Sequence, residues 1–140
     1  MVRALLDANV IISAAIRPSG PPGRIVSALL SREAFRLILS PAIVDEVEKA
    51  LGLPRVRRYL HDPAEALLWV ADLAAVADLV PDTGRVTGVC RDPADDVVLG
   101  AAIEGRAAVI VTGDADLLTL AEYEAVAIMA PRTFLELIES

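Results

Sequence analysis

The sequence predicts an α/β fold: a three-layer sandwich in which helices cover a central parallel five-stranded sheet of order 3-2-1-4-5. Three observations carry this expectation. Short apolar runs of strand length alternate with segments of helical periodicity, the pattern of βα units laid into a parallel sheet. Two of those runs deliver a carboxylate at their end: Leu5-Leu6 leads into Asp7, and Val109-Ile110-Val111 leads through Thr112-Gly113 into Asp114. The chain is 55% hydrophobic but only 4% aromatic, so Ala, Val and Leu fill the core, as suits strands and helices packed in layers. A chain of 140 residues is read as one domain, 1–140. A domain of that size buries roughly two-thirds of its unfolded surface and needs no disulfide or structural metal to fold.

Residues 3–6 read as the first strand and 9–16 as a short helix, closed by the turn Arg17-Pro18-Ser19-Gly20-Pro21-Pro22-Gly23. A second helix is expected over 24–32. Phe35 to Leu39 is the second strand, stopped by Ser40-Pro41, where Pro at a first helical position opens the next helix. There Ile43, Val44, Val47 and Leu51 recur at helical spacing until Gly52 and Pro54. A short helix over 55–60 and a longer one from Pro63 to about 75 follow. Val76 to Val80 is the third strand, residues 82–92 a loop, and about 94 to 104 a helix. The fourth strand (108–111), a helical turn near 115–120, the fifth strand (126–129) and a helix opening at Pro131 complete the chain. Right-handed crossovers then make the first and fourth strands neighbours. In open α/β sheets, ligands bind outside the carboxyl ends of the strands, where the order reverses.

The bulk properties narrow the function. No apolar run approaches the roughly 18 residues of a membrane span, Met1-Val2-Arg3 enters a strand with no signal-peptide pattern, and Cys90 is the single cysteine. The expected location is cytoplasmic. A net charge of −7 argues against nucleic-acid binding by a bulk field. It leaves open a nucleic-acid substrate bridged by cations to clustered acids.

Asp7, Glu46, Asp96 and Asp114 are the candidate site acids, with Asp116 a nearby fifth. Acids at helix starts often serve only as caps, and capping is the readier account of Asp92 or Asp95 taken alone. Glu46 differs, because it falls beside the apolar stripe of its helix, whereas Asp45 and Glu48 are expected to face solvent. Several carboxylates in one crevice repel one another and call for a cation. Mg²⁺ or Mn²⁺ fits an all-oxygen donor set, and zinc does not, since His61 and Cys90 are the only soft ligands. Asn9 is the only Asn in a chain without Gln, and it lies two residues from Asp7.

With these residues in order, the chain resembles the PIN-domain ribonucleases, most closely the small prokaryotic group that forms the toxins of toxin–antitoxin pairs. The matching segments are Leu5 to Ala14, Leu39 to Val47, Asp92 to Ala102 and Ile110 to Leu118, with Ala130-Pro131-Arg132-Thr133-Phe134-Leu135 at the end. The resemblance implies a Mg²⁺- or Mn²⁺-dependent endoribonuclease, an antitoxin partner and a homodimer. It places the metal-binding and catalytic acids at Asp7, Glu46, Asp96 and Asp114. Asp96 is preferred to Asp95 because Val97 to Ala102 then falls in the family's apolar helix register. Asn9, Thr112 and Asp116 are implied as supporting residues. Arg17, Arg24 and Arg91 are candidates for RNA contact, as is the cluster Arg55, Arg57 and Arg58.

Three rivals start from similar strand-end acids. A phosphatase of the haloacid dehalogenase type wants an Asp where this chain has Asn9, and a late Lys. A phospho-accepting receiver domain wants that late Lys too, and no Lys follows Lys49. A PIN-type fold serving only as an interaction module would not need the full set of acids. RNA processing outside a toxin–antitoxin pair is the remaining alternative within the family.

Overall fold

A computed structural model describes residues 1–140. Its sheet contains β1 (Arg3–Leu6), β2 (Arg36–Leu39), β3 (Asp78–Leu79), β4 (Val109–Val111), β5 (Glu122–Tyr123) and β6 (Val126–Met129). The strand order is β3-β2-β1-β4-β6-β5. Five strands are parallel and follow the expected order, with β6 standing as the expected fifth strand. The sixth, β5, corrects the expectation of five wholly parallel strands: it pairs antiparallel with β6 at the edge. Its turn is hidden in the sequence. Glu124 and Ala125 connect the two strands at φ 46 and 70, a left-handed pair usually announced by Asn-Gly or Asp-Gly.

Eight helices surround the sheet: α1 (Ala8–Ile16), α2 (Pro21–Arg32), α3 (Pro41–Leu51), α4 (Pro54–Arg57), α5 (Pro63–Val76), α6 (Pro93–Glu104), α7 (Ala115–Leu120) and α8 (Pro131–Glu139). Proline opens six of them, at a position where an N–H would have no helical partner. The same chemistry starts α2 at Pro21, three residues earlier than its apolar periodicity suggests. Gly23 then lets α2 settle on the preceding turn, since a Cβ there would stand 2.0 Å from the carbonyl oxygen of Pro18.

One apolar cluster of 34 buried residues runs through both helical layers and the sheet. Ala4, Leu5 and Leu6 of β1 and Ile38 of β2 are wholly inaccessible, as befits central strands covered on both faces. Phe35 and Phe134 meet edge to face at 5.0 Å and fasten α8 to the entry of β2. No helix is long and apolar enough to cross a membrane.

At the N-terminal edge of the sheet one acid, Asp78, is paired twice. Asp78 opens β3 and accepts from Arg3 at 2.7 Å and Arg36 at 2.8 Å. Arg3 also donates twice to the carbonyl of Gly105, closing α6 against β1. These two guanidinium groups hold the Asp78 carboxyl down at about 2.

Candidate metal centre

The carboxyl ends of β1 and β4 are neighbours, with Leu6 opposite Val111. Each strand passes into a helix through an acid: Asp7 caps α1 and Asp114 caps α7. Asp7 is only 6% exposed and its carboxylate is held from three sides. One oxygen accepts from the Ala8 N–H at 2.8 Å; the other accepts from the Thr112 hydroxyl at 2.8 Å and the Asn9 amide at 3.0 Å. Asn9 turns its own oxygen to the Gly113 N–H at 2.9 Å, and the Thr112 hydroxyl accepts the Asp114 N–H at 3.0 Å. Two strand ends are thereby locked into one frame around a buried carboxylate.

A groove of about 410 Å³ opens over this frame. Asp7, Asn9, Glu46, Asp92, Asp95 and Asp114 face it, and Ile12, Ile43, Val97 and Val98 supply its apolar wall. No Arg or Lys lines it. The acids respond accordingly. Burial raises the Asp7 carboxyl above the ordinary carboxylate range, and the nearby Asp114 raises it further against the bonds from Thr112, Ala8 and Asn9. Asp95 is pushed up to about 7, first by burial and then by the adjacent Asp114 carboxylate, with the fields of Asp92 and Asp7 adding to it. Glu46 is open to solvent at the rim, yet partial desolvation and the fields of Asp7 and Asp92 raise it as well.

The structure brings Asp7, Glu46 and Asp114 together as expected, but at α6 it places Asp95, not Asp96, in the groove. Asp96 is buried on the other side of the helix start and accepts the Cys90 N–H at 2.8 Å. The apolar register of residues 97–102 does not discriminate between them, since both acids precede buried positions. What decides is the loop before α6, which folds back to offer its N–H to Asp96. Asp92 caps α6 through Ala94 and also lines the groove, a double role that its reading as a cap alone missed. The spacing of Asp92 and Asp95 carries the signal, because residues three apart share a helix face.

The remaining candidates divide clearly. Asp116 lies beside Asp114 and Asp95 and is bound by Arg91 through two contacts of 2.8 and 3.0 Å. Arg24 is bound to Glu139 at 2.7 Å, so of the arginines suggested for RNA, Arg17 and the cluster Arg55, Arg57 and Arg58 have no acidic partner. Lys49 pairs with Asp45 on the outer face of α3, and the groove holds no lysine of the kind both rival phosphoryl chemistries require.

The donor set suits a hard divalent cation. Carboxylate oxygens of Asp95, Asp114 and Asp116 lie within 4.8 Å of one another, and every ligand facing the groove is oxygen, the chemistry of Mg²⁺ and Mn²⁺ rather than zinc. His61 lies elsewhere, beside Trp69 and Asp62. The Cys90 thiol is pushed up to about 11 by burial and then by Asp96, so it is a poor metal ligand and a poor nucleophile.

Comparison with known proteins gives a consistent result. The family model described as "PIN domain" matches residues 3–116. The uncharacterized protein MJ1680 of Methanocaldococcus jannaschii is 34% identical over 120 residues, which cover 85% of this chain and 75% of that one. The crystal structure of PAE2754 from Pyrobaculum aerophilum is similar with a TM-score of 0.68 at 19% identity, covering 99% of this chain and 90% of that chain. VapBC2 from Rickettsia felis, bound to a DNA fragment from their promoter, is similar with a TM-score of 0.62 at 10% identity, covering 92% and 98%.

Proposed function

This chain belongs to the PIN-domain family, and from that premise we propose that it is a Mg²⁺- or Mn²⁺-dependent endoribonuclease acting as the toxin of a toxin–antitoxin pair. PIN domains are generally nucleases. The observation that supports the metal-dependent reading here is the groove: Asp7, Glu46, Asp92, Asp95 and Asp114 line it at the sheet's carboxyl edge, and no Arg or Lys does.

Asp7, Asp95 and Asp114 would hold the cation, with Glu46 and Asp116 at its margin. A divalent ion in such a site lowers the pKa of a bound water and offsets the charge of a phosphodiester. The protein's own part is placement. Thr112 and Asn9 fix the Asp7 carboxylate in one orientation, so no side-chain freedom is lost when the site is filled. Glu46, solvent-accessible at the groove rim, is placed to take a proton from attacking water at its carboxylate oxygens. Ile12, Ile43 and Val97 limit bulk water at the groove wall. The ring of acids also repels a polyanion from an unloaded site, which couples substrate entry to the ion.

The toxin role rests on the ordered set of sequence segments and is in keeping with the fold likeness to VapBC2. An antitoxin protein and a second copy of the chain belong to the same proposal. The direct test incubates purified protein with single-stranded and structured RNAs in Mg²⁺ or Mn²⁺ and then adds EDTA. Cleavage that stops with EDTA is the expected result. Undiminished cleavage in EDTA would overturn the metal mechanism.

A further inference from the structure

We propose a second, metal-free subsite for single-stranded RNA at the C-terminal end of α1, where Arg17 takes a backbone phosphate and Tyr59 stacks on a flanking base. The inference rests on the nuclease reading and names where the substrate runs on leaving the acid groove.

A depression of about 530 Å³ lies there, lined by Ser13, Ile16, Arg17, Gly20, Pro21 and Tyr59. One helix, α1, flanks both this depression and the groove. Asn9 and Ile12 of α1 line the acid groove, while Ser13 and Ile16 line the depression, and positions three and four apart form one stripe on a helix. From Asn9 to Arg17 the stripe runs about 12 Å at 1.5 Å per residue, a stretch that a single strand crosses in a few nucleotides.

The distribution of cations points to this end of the stripe. Of twelve arginines, five are bound to acids: Arg3, Arg24, Arg36, Arg85 and Arg91. Seven have no acidic partner, and four of these (Arg17, Arg55, Arg57 and Arg58) sit at the end of α1 and along the segment leading to Tyr59. In a chain of net charge −7, unneutralised guanidinium groups at the end of α1 and along the segment leading to Tyr59 form a local exception to a repulsive field. Tyr59 is 57% exposed, and its hydroxyl makes no hydrogen bond within the chain. The Arg58 guanidinium lies 5.0 Å from its ring centroid, which fixes one face of the ring and leaves the other for a base. A stacking aromatic next to phosphate-binding cations is how single strands are held without sequence preference.

The test compares wild type with Arg17→Ala, Tyr59→Leu and Tyr59→Phe. KM and kcat are measured on a long single-stranded RNA and on one too short to span the stripe. Binding of a non-cleavable 2′-O-methyl RNA is followed by anisotropy over a range of salt. Tyr59 is exposed and Arg17 unbonded, so melting temperatures should stay within a degree or two. Tyr59→Leu should raise KM on the long RNA about tenfold, and the loss should shrink on the short RNA. Tyr59→Phe, which keeps the ring, should restore KM. Arg17→Ala should lower the salt slope of binding by about one. Unchanged KM and binding in both Arg17→Ala and Tyr59→Leu, with wild type still cleaving, overturns the subsite and leaves the nuclease reading standing. If wild type cleaves nothing but the variants still weaken oligonucleotide binding, the nuclease reading fails and the subsite survives. Unaltered RNA binding together with lost binding of a protein partner overturns the subsite in favour of a protein contact.

Discussion

The two edges of the one parallel sheet handle carboxylates in opposite ways. At the N-terminal edge Asp78 is gripped by Arg3 and Arg36, and its proton affinity falls. At the carboxyl edge Asp7, Glu46, Asp92, Asp95 and Asp114 face a common groove without one basic side chain, and Asp7, Glu46 and Asp95 are raised. The chain has arginines to spare, and seven of them bind no acid. A shortage of cations therefore does not explain the bare groove. An acid that serves the fold is given its partner by the fold; these acids have no basic partner in the groove, as the proposed metal site requires. The cost is borne locally by the hydrogen bonds from Thr112, Asn9 and Ala8, which hold Asp7 in place against repulsion.

The sharpest way to break this contrast is to remove charge from the carboxyl edge. Asp7→Asn should lower RNA cleavage by more than about a hundredfold, beyond the cost of losing a partner that merely supports a metal ligand. Its metal-free melting temperature should equal or exceed that of wild type, because a repelled buried charge has gone. Cleavage near the wild-type rate would remove Asp7 from the mechanism.

A subtler comparison sets Asp95→Ala against Asp96→Ala. Asp95→Ala should abolish cleavage while leaving the fold as stable as before or more so. Asp96→Ala should keep cleavage within about tenfold but lose about 1 kcal/mol of stability, since the partly buried Cys90 N–H forfeits its acceptor. The reverse pattern, with activity following Asp96 and stability following Asp95, would return the groove to the register that the sequence suggests.

The smallest effect is a difference in pH dependence between the edges. Asp78 has a depressed folded value, so its contribution is present above the ordinary 3.8 and is lost as pH falls through about 2. Asp95 has a raised folded value, near 7 against an ordinary 3.8. The metal-free folded state then binds the extra proton, and stability grows as pH falls from about 7 toward 4. Chemical denaturation in EDTA across pH should show both trends. Asp95→Asn should flatten the upper one and Asp78→Asn the lower one. A wild-type profile that rises monotonically from pH 4 to 8 in EDTA would contradict a cation-deficient groove.

The sequence carried much of this. Alternating periodicities gave the parallel order because each strand and its crossover helix obey local rules, and Pro41, Pro63 and Pro131 marked three of the helix starts. The antiparallel β5 was illegible because Glu124 and Ala125 adopt positive φ without the residues that advertise such a turn. In the site, the meeting of Asp7 and Asp114 was readable since strand ends in register converge by topology, whereas Asn9 and Thr112 as supporting residues came from the family resemblance. Glu46 followed from its place beside the apolar stripe of α3. The choice between Asp95 and Asp96 was not readable, because it depends on where residues 83–92 fold back. That loop has no periodicity, and its backbone N–H at Cys90 claims one of two adjacent acids.

The central claim is that the acids at the carboxyl edge bind a divalent cation. A titration of Mn²⁺ or Mg²⁺ against melting temperature, for wild type and Asp95→Asn in parallel, tests it most directly, because an ion that binds only the folded state must stabilise it. The account predicts a saturable rise in wild type and little or none in Asp95→Asn. Equal shifts in the two proteins, or a flat wild-type curve through millimolar metal, would contradict it.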